Sequence, residues 1–171
     1  MKITHATAIA ACLFVSAILP LQAKTIKFPA ENPDFSFDLP DGWTMETDKS
    51  GDLVCKPGDG ALILNLNKMN QSFAMVKERL PALGKTFAEV HKMTKVEAND
   101  LGDDKNKNGV KESIYLVKGK WSDMDFMAVL RAFDPKDGGA AYFIMFSGLA
   151  TGMTAHVADM GAIIDSITPV K

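Results

Sequence analysis

Residues 104–109 (Asp-Lys-Asn-Lys-Asn-Gly) have the side-chain types of a calcium-binding loop. Oxygen ligands stand at the first, third and fifth positions, and Gly109 stands at the sixth, where such loops turn sharply. The rest of the pattern is missing, because position 12 is Tyr115 instead of a bidentate carboxylate and position 8, usually apolar, is Lys111. Two lysines within the segment also repel a cation. We interpret the segment as a solvated hairpin tip that turns at Asn108-Gly109, with calcium binding as the alternative.

A second candidate metal site consists of Met153, His156 and Met160. Their spacing suits one helical face, and their thioether and imidazole groups are the soft ligands that Cu(I) prefers. Val157 and Ile164 continue the same spacing, however, which indicates a stripe of core residues, and methionine often fills irregular cores. We therefore expect no metal or other cofactor, and keep a calcium- or copper-binding protein as the alternative.

Cys55 and His91 have the residue types of a nucleophile–base pair, and sequence distance does not prevent their contact. Cys55 ends the apolar run 53–55, where a free cysteine is typically buried and inert. His91 follows core-like Val90, where a capping or surface histidine is expected. No Gly-x-Ser-x-Gly nucleophile motif occurs in the chain. We expect no enzyme activity, and a hydrolase is the alternative.

Three aromatic residues, Trp43, Trp121 and Phe126, are the candidate contacts for a partner or ligand. Aromatic side chains near loops anchor partners or line pockets in many proteins. The competing interpretation, which sequence alone favours, is that both tryptophans pack at the edges of a sheet.

The N-terminus has the three parts of a secretory signal peptide. Lys2 provides a basic start, residues 6–21 contain no charged side chain, and Ala23 is a small residue before a cleavage point. We therefore predict a cleaved leader over 1–23 and a single periplasmic or secreted domain over 24–171.

Two other interpretations of the leader were weighed. A membrane anchor is disfavoured because Pro20 and Gln22 interrupt a run that must reach about 20 apolar residues to span a bilayer. Cys12 resembles the lipidated cysteine of a lipoprotein, but it stands so early that a long uncharged stretch would stay on the mature chain. Lipidation at Cys12 stays open as an alternative.

The predicted mature domain is mildly acidic. The chain of 171 residues has a formal net charge of −2, and the leader contains one basic and no acidic side chain, so cleavage gives −3. This balance argues against nucleic-acid binding and gives no support for an anionic membrane surface. Cys55 is the only cysteine left after cleavage, so no internal disulfide can form and packing must hold the domain.

Hydrophobic periodicity predicts mixed secondary structure. Residues 72–94 have helical spacing, in which Pro81 predicts two short helices or one bent helix. A polar loop is predicted over 102–109 and one closing helix over 153–167. Strands are predicted at 24–28, 35–39, 43–47, 53–56, 61–67, 95–101, 110–118, 124–133 and 140–146. Because short turns join most strands, the predicted fold class is α+β, with a largely antiparallel sheet of about six or seven strands flanked by helices in an α/β/α sandwich.

The segment 35–43 (Phe-Ser-Phe-Asp-Leu-Pro-Asp-Gly-Trp) resembles the entry strand and Leu-Pro-x-Gly-Trp turn of the PsbP/DcrB-like group of exported domains. The predicted order of elements is similar over nearly all of 24–171. The resemblance implies an antiparallel sheet between helices and an accessory protein that is generally not an enzyme. It implies no fixed catalytic residues.

Together these observations predict an exported, non-enzymatic accessory or binding module of the cell envelope. The expected partner is an envelope protein, a peptide or a small apolar ligand, held in a groove or on a sheet face. Neither nucleic acid nor a stable membrane span after cleavage is expected, and the oligomeric state is not predicted.

Overall fold

The computed structural model describes residues 23–170. The strands in this part of the chain are β1 (Lys24–Phe28), β2 (Phe35–Leu39), β3 (Thr44–Thr47), β4 (Leu53–Lys56), β5 (Leu62–Lys68), β6 (Thr94–Lys105), β7 (Lys111–Trp121), β8 (Met124–Asp134), β9 (Tyr142–Leu149) and β10 (Thr168–Pro169). The helices are α1 (Phe73–Val90), α2 (Ala150–Ala155) and α3 (Val157–Ser166). Cys12 and all of the predicted leader except Ala23 lie outside the described residues, so cleavage stays a prediction.

The strands form two antiparallel sheets. The large sheet has seven strands in the order β3-β4-β5-β9-β8-β7-β6, and the small sheet has the order β1-β2-β10. Helix α1 packs on one face of the large sheet, and the small sheet packs on the other together with α2 and α3. The predicted α+β class is confirmed. The separate small sheet was not predicted, because alternation reveals a strand without showing which sheet it joins.

The first core lies between the small sheet and the large one. On β2 the alternate residues Phe35, Phe37 and Leu39 point inward, and each is at most 2% exposed. They share one cluster with Leu64 of β5 and Tyr142 of β9. The rings of Phe35 and Tyr142 meet edge-on with centroids 4.9 Å apart, a favourable aromatic geometry.

Asp34, just before β2, connects the small sheet to the large one through ion pairs and a hydrogen bond. Its carboxylate accepts hydrogen bonds from Lys68 at 2.8 Å, from Lys136 at 2.6 Å and from the hydroxyl of Tyr142. Burial by itself raises the pKa of Asp34, but the ammonium groups of Lys136 and Lys68 outweigh it, and the pKa falls well below its ordinary value. The carboxylate is therefore ionised at neutral pH.

Helix α1 builds the second core on the opposite face, over β7 and β8. Leu80 and Phe87 belong to its buried stripe. Gly84 lies so close to the sheet that an added Cβ would stand 2.8 Å from Tyr115 Cε1 and from Val117 Cγ2. The helix therefore packs at this distance only because residue 84 has no side chain.

The helices differ from the sequence predictions in one respect. Helix α1 runs through the exposed Pro81 without interruption, so of the two open alternatives the single helix is right. The prediction of one closing helix was wrong, because the backbone at His156 (φ −104°, ψ 18°) separates α2 from α3. Apolar spacing continues across the break because Met153 and Ile164 enter the same core from both helices.

Strand β6 is an outer edge of the large sheet. It extends to Lys105, through residues for which the sequence predicts a loop, because an edge strand needs few apolar side chains. Its pairing with β7 is irregular between Thr94 and Glu97 and between Asp100 and Gly102. Charged side chains and bulges protect such an edge from pairing with other chains.

Candidate ligand-binding groove

A concave apolar surface lies between helices α2 and α3 and the large sheet. Helix α3 sits mainly over the small sheet, so the same face of β6, β7 and β8 is only partly covered. The space that remains is about 440 Å³, within the ~300–1,000 Å³ range of small-molecule sites. We call it the apolar groove, and its apolar lining includes Leu101, Ile114, Leu116, Met127, Val129, Met153, Val157 and Met160.

Strand pairing explains why these side chains meet. Opposite residues of an antiparallel pair point to the same face, and Leu116 of β7 pairs with Val129 of β8. Ile114 lies two residues before Leu116 and therefore on the same face. The floor is half-buried rather than buried, which leaves apolar surface in contact with solvent.

An ion pair forms the charged end of the apolar groove. Ile114 pairs with Arg131 of β8, whose Nη1 donates to Glu112 Oε2 at 2.5 Å. The side chain of Glu112 is only 7% exposed, and that of Arg131 is 21% exposed. The buried Nε of Arg131 has no hydrogen-bond partner among the described residues. The ion pair at this end thus carries no net charge.

The opposite end of the apolar groove opens into a cleft of about 520 Å³ that three lysines line. Lys118 and Lys120 continue β7 beyond Leu116 on the same face, and Lys95 comes from β6. We call this space the lysine cleft. Met127 and Thr154 line both spaces, so the apolar groove and the lysine cleft adjoin.

Two of the predicted contact residues meet beside the lysine cleft. The rings of Trp121 and Phe126 lie 5.8 Å apart, edge to face, across the β7–β8 hairpin. Phe126 also stacks on Phe87 of α1 at 6.1 Å and lines the cleft. Trp121 is 42% exposed, and neighbouring Met124 is 44% exposed. The hairpin therefore presents apolar surface to solvent.

The third predicted contact residue, Trp43, lies apart from the other two, just before the opposite edge strand β3. Its Nε1 donates to Asp159 Oδ2 of α3 at 3.3 Å, and its ring is edge-on to His156 at 6.1 Å. Trp43 packs against the first core. The structure thus brings Trp121 and Phe126 together and places Trp43 elsewhere.

Both ring nitrogens of His156 contact carboxylates. Nδ1 lies 2.8 Å from Asp159 Oδ2, and Nε2 lies 3.1 Å from Asp59 Oδ2. The hydrogen bond to Asp159, followed by that to Asp59, raises the pKa of His156 above its ordinary value. The copper hypothesis requires this imidazole to lie beside the thioethers of Met153 and Met160. Met153 is buried in the first core instead, and the imidazole faces two carboxylates.

Asn106 lies at the third position of the candidate calcium loop, and its side-chain amide bonds to protein groups. Asn106 Nδ2 donates to the carbonyls of Ile164 and Ile167 at 3.0 and 2.9 Å. Its Oδ1 accepts from the backbone N–H groups of Asn108 and Val110. Within residues 23–170, no three His, Cys, Asp or Glu side chains are arranged to hold a metal ion. The β6–β7 turn is therefore a clamp on the end of α3.

Cys55 and His91 lie on opposite faces of the large sheet. Cys55 is fully buried in the first core, as predicted, and burial raises its pKa to about 11. His91 caps α1, and its ring packs 4.1 Å from the ring of Phe87 beside the second core. The thiol is thus protonated at neutral pH, and the large sheet separates it from the imidazole of His91.

Sequence reasoning missed both the apolar groove and the lysine cleft. A signal for them exists in β7, where alternate positions change from Ile114 and Leu116 to Lys118 and Lys120. That change marks a strand face that is apolar at one end and basic at the other. The pairing of Arg131 with Glu112 had no sequence signal, because it depends on register.

Comparison with protein-family models and with curated proteins finds no match. Among solved structures, LpqN of Mycobacterium tuberculosis, involved in cell envelope biogenesis, has a TM-score of 0.58 at 11% identity and covers 87% of this chain and 92% of its own. Cyanobacterial PsbP (CyanoP) from Synechocystis sp. PCC 6803 has a TM-score of 0.55 at 12% sequence identity, and the match covers 95% of this chain and 99% of CyanoP. The Saccharomyces cerevisiae Ran-binding protein Mog1p has a TM-score of 0.53 at 12% sequence identity, and the match covers 88% of this chain and 97% of Mog1p.

The chain therefore has a PsbP-like fold, and the resemblance found in segment 35–43 is confirmed at the level of the fold. At these identities the similarity establishes the fold alone. In the part of the chain that the structure describes, the helices are too short or too polar to cross a membrane.

Proposed function

We propose that this chain is an exported, non-enzymatic binding module of the cell envelope, which holds an elongated apolar ligand in the apolar groove. One observation carries the proposal: a concave surface whose apolar side chains stay in contact with solvent. Leu101 at its rim is 56% exposed, and Val157 on its wall is 63% exposed. Concave apolar surfaces of this size are the usual form of small-molecule sites.

Two further points support the export and the accessory role. The leader predicted over 1–23 directs the chain out of the cytoplasm. LpqN, which shares the fold, is described as involved in cell envelope biogenesis, and Mog1p as a Ran-binding protein. A binding role agrees with the description of Mog1p, and a place in the envelope agrees with that of LpqN.

The test is a titration of the purified protein with N-phenyl-1-naphthylamine, a neutral fluorophore that brightens in apolar sites. We expect saturable binding that weakens at least tenfold in Val157→Asp, because a carboxylate would then border the apolar groove. The matched control is Val90→Asp, at the end of α1, since Val90 is 71% exposed and lines neither space. Unchanged melting temperatures show that both variants fold. Absent or non-saturable binding, or equal binding by the two variants, contradicts the proposal.

A protein partner at the β7–β8 hairpin is the second candidate, and the exposed Trp121 and Met124 favour it. Exposed tryptophan is a frequent anchor of protein interfaces. A photo-crosslinking residue at position 121 is expected to capture one envelope protein, whose purified form binds the wild type and binds Trp121→Ala at least tenfold more weakly. Trp43→Phe is the control, since Trp43 packs against the core. Equal affinity for wild type and Trp121→Ala eliminates this candidate.

A further inference from the structure

We propose that the ligand of the apolar groove is a long-chain fatty acid anion, with its carboxylate in the lysine cleft. This inference rests on the proposed function, because it takes ligand binding in the apolar groove as given. It adds the chemical class of the ligand and the direction in which the ligand lies.

The first argument is the order of side chains along one strand face. From Ile114 and Leu116 to Lys118 and Lys120, β7 presents two apolar residues and then two basic ones on the same side. At ~3.3 Å per residue, the distance from Ile114 to Lys120 is about 20 Å. An extended molecule on this face would therefore meet apolar surface along its body and ammonium groups at one end.

The second argument is that the two spaces adjoin. The apolar groove of about 440 Å³ and the lysine cleft of about 520 Å³ share Met127 and Thr154 as lining residues. One molecule can therefore occupy both spaces, and a single chain suits a single groove.

The third argument is charge. In the lysine cleft, Lys120 is paired with Asp125 at 2.7 Å. Lys95 and Lys118 form no ion pair within residues 23–170, and only Glu97 among the other residues lining the cleft carries a negative charge. The cleft thus has an excess of one positive charge, which a monoanionic carboxylate complements.

The other end of the apolar groove cannot supply this complement. There the guanidinium of Arg131 is already neutralised by Glu112 at 2.5 Å. A ligand carboxylate at that end would have to share the guanidinium with Glu112, and it would meet no net positive charge. The charge distribution therefore favours one orientation of the fatty acid. Its methyl end lies towards Arg131, and its carboxylate lies towards Lys118.

The experiment is displacement of N-phenyl-1-naphthylamine from the purified protein by oleate and by methyl oleate, which have the same chain but differ in head-group charge. We expect oleate to displace the fluorophore at concentrations at least tenfold lower than methyl oleate. The double variant Lys95→Met/Lys118→Met is expected to lose this preference and to bind the neutral fluorophore as the wild type does. Lys118→Arg keeps the charge and should retain the preference. Lys49→Met, an exposed lysine that lines neither space, is the control.

The outcomes separate the two proposals. Equal displacement by oleate and methyl oleate, or a preference that survives in Lys95→Met/Lys118→Met, overturns the fatty-acid inference and leaves the proposed function standing. Failure of the fluorophore itself to bind overturns the proposed function. Co-sedimentation with phosphatidylglycerol vesicles, without displacement by monomeric oleate, identifies a membrane surface as the partner and also overturns the inference.

Discussion

Asn106 joins the β6–β7 turn to the end of α3 with both ends of its side-chain amide. The residue is 9% exposed, and its four hydrogen bonds all go to backbone groups. The substitution Asn106→Ala removes these four hydrogen bonds from two backbone carbonyls and two backbone N–H groups that are largely shielded from solvent. Because a net hydrogen bond contributes about 1 kcal/mol, we expect the free energy of unfolding to fall by ~2–4 kcal/mol. Urea denaturation measures this loss.

Asn70→Ala is the matched control for Asn106→Ala, because Asn70 is exposed and no side-chain hydrogen bond is described for it. Its expected effect is within about 0.5 kcal/mol, as for most surface substitutions. A loss of the same size in both variants would show that the clamp contributes nothing.

His156 makes the stability of the fold depend on pH. Asp159 and Asp59 face its ring, and they raise the pKa of His156 above its unfolded value of about 6.5. A raised pKa means that the protonated form favours folding. The contribution is therefore fully present below about pH 6.5 and is lost as the pH rises through the folded-state pKa.

The variant His156→Gln tests this linkage. The free energy of unfolding of the wild type should exceed that of the variant by more at pH 5.5 than at pH 8.5, in urea titrations at constant ionic strength. Parallel pH profiles for the two proteins would refute the linkage.

At the scale of elements, two glycines within helices make opposite predictions. Gly84→Ala introduces a Cβ that would stand 2.8 Å from Tyr115 and Val117, which is closer than such atoms normally approach, so the helix or these side chains must shift. We expect it to lower the free energy of unfolding by ~1–3 kcal/mol, as overpacking usually does. Gly161→Ala in α3 meets no atom within 4 Å, so alanine should stabilise the helix by up to about 1 kcal/mol. Thermal and urea unfolding of both variants provide the measurement.

The two glycine variants also test how closely α1 packs on the sheet. If Gly84→Ala is as stable as Gly161→Ala, the distance between helix and sheet is greater than the structure shows. The crystal structure of Gly84→Ala should show a displaced α1 and an unchanged α3.

Local periodicity predicted most elements but few of their partners. The alternation in β2 located the strand that buries Phe35 and Phe37, and helical spacing located α1. The break at His156 was missed because the apolar spacing continues through it. Strand β10 was missed because two residues have no period, and it exists only through pairing with β2. Register, which no single segment contains, also creates the apolar groove.

The site residues show the same division between local and long-range information. The burial of Cys55 was predicted from its apolar strand and is confirmed. The contact of Trp121 with Phe126 follows from a short hairpin and is local. By contrast, the bond from Trp43 to Asp159 joins distant segments and has no sequence signal.

At the scale of the whole molecule, one sheet serves two cores. Along β8, Ala128 and Leu130 point into the second core, while Phe133 belongs to the first and Val129 packs against it. Neither core can lose its strands without exposing the other. We therefore expect the domain to unfold in a single cooperative transition.

The two tryptophans are suitable probes of this cooperativity. Trp43 packs against the first core, and Trp121 contacts Phe126 beside the second. Trp43→Phe and Trp121→Phe each leave one fluorophore, and urea unfolding followed by fluorescence and by circular dichroism should give one midpoint within each variant. Different midpoints by the two methods would mean that the cores unfold separately.

The clamp at residues 106–108 has a consequence for biosynthesis. Asn106 and Asn108 from the middle of the chain bind backbone carbonyls at its end, and β10 completes the small sheet beside β2. A nascent chain that still lacks α3 and β10 has neither the clamp nor the full cover of its first core. The first core is therefore complete only after α3 and β10 have been synthesised.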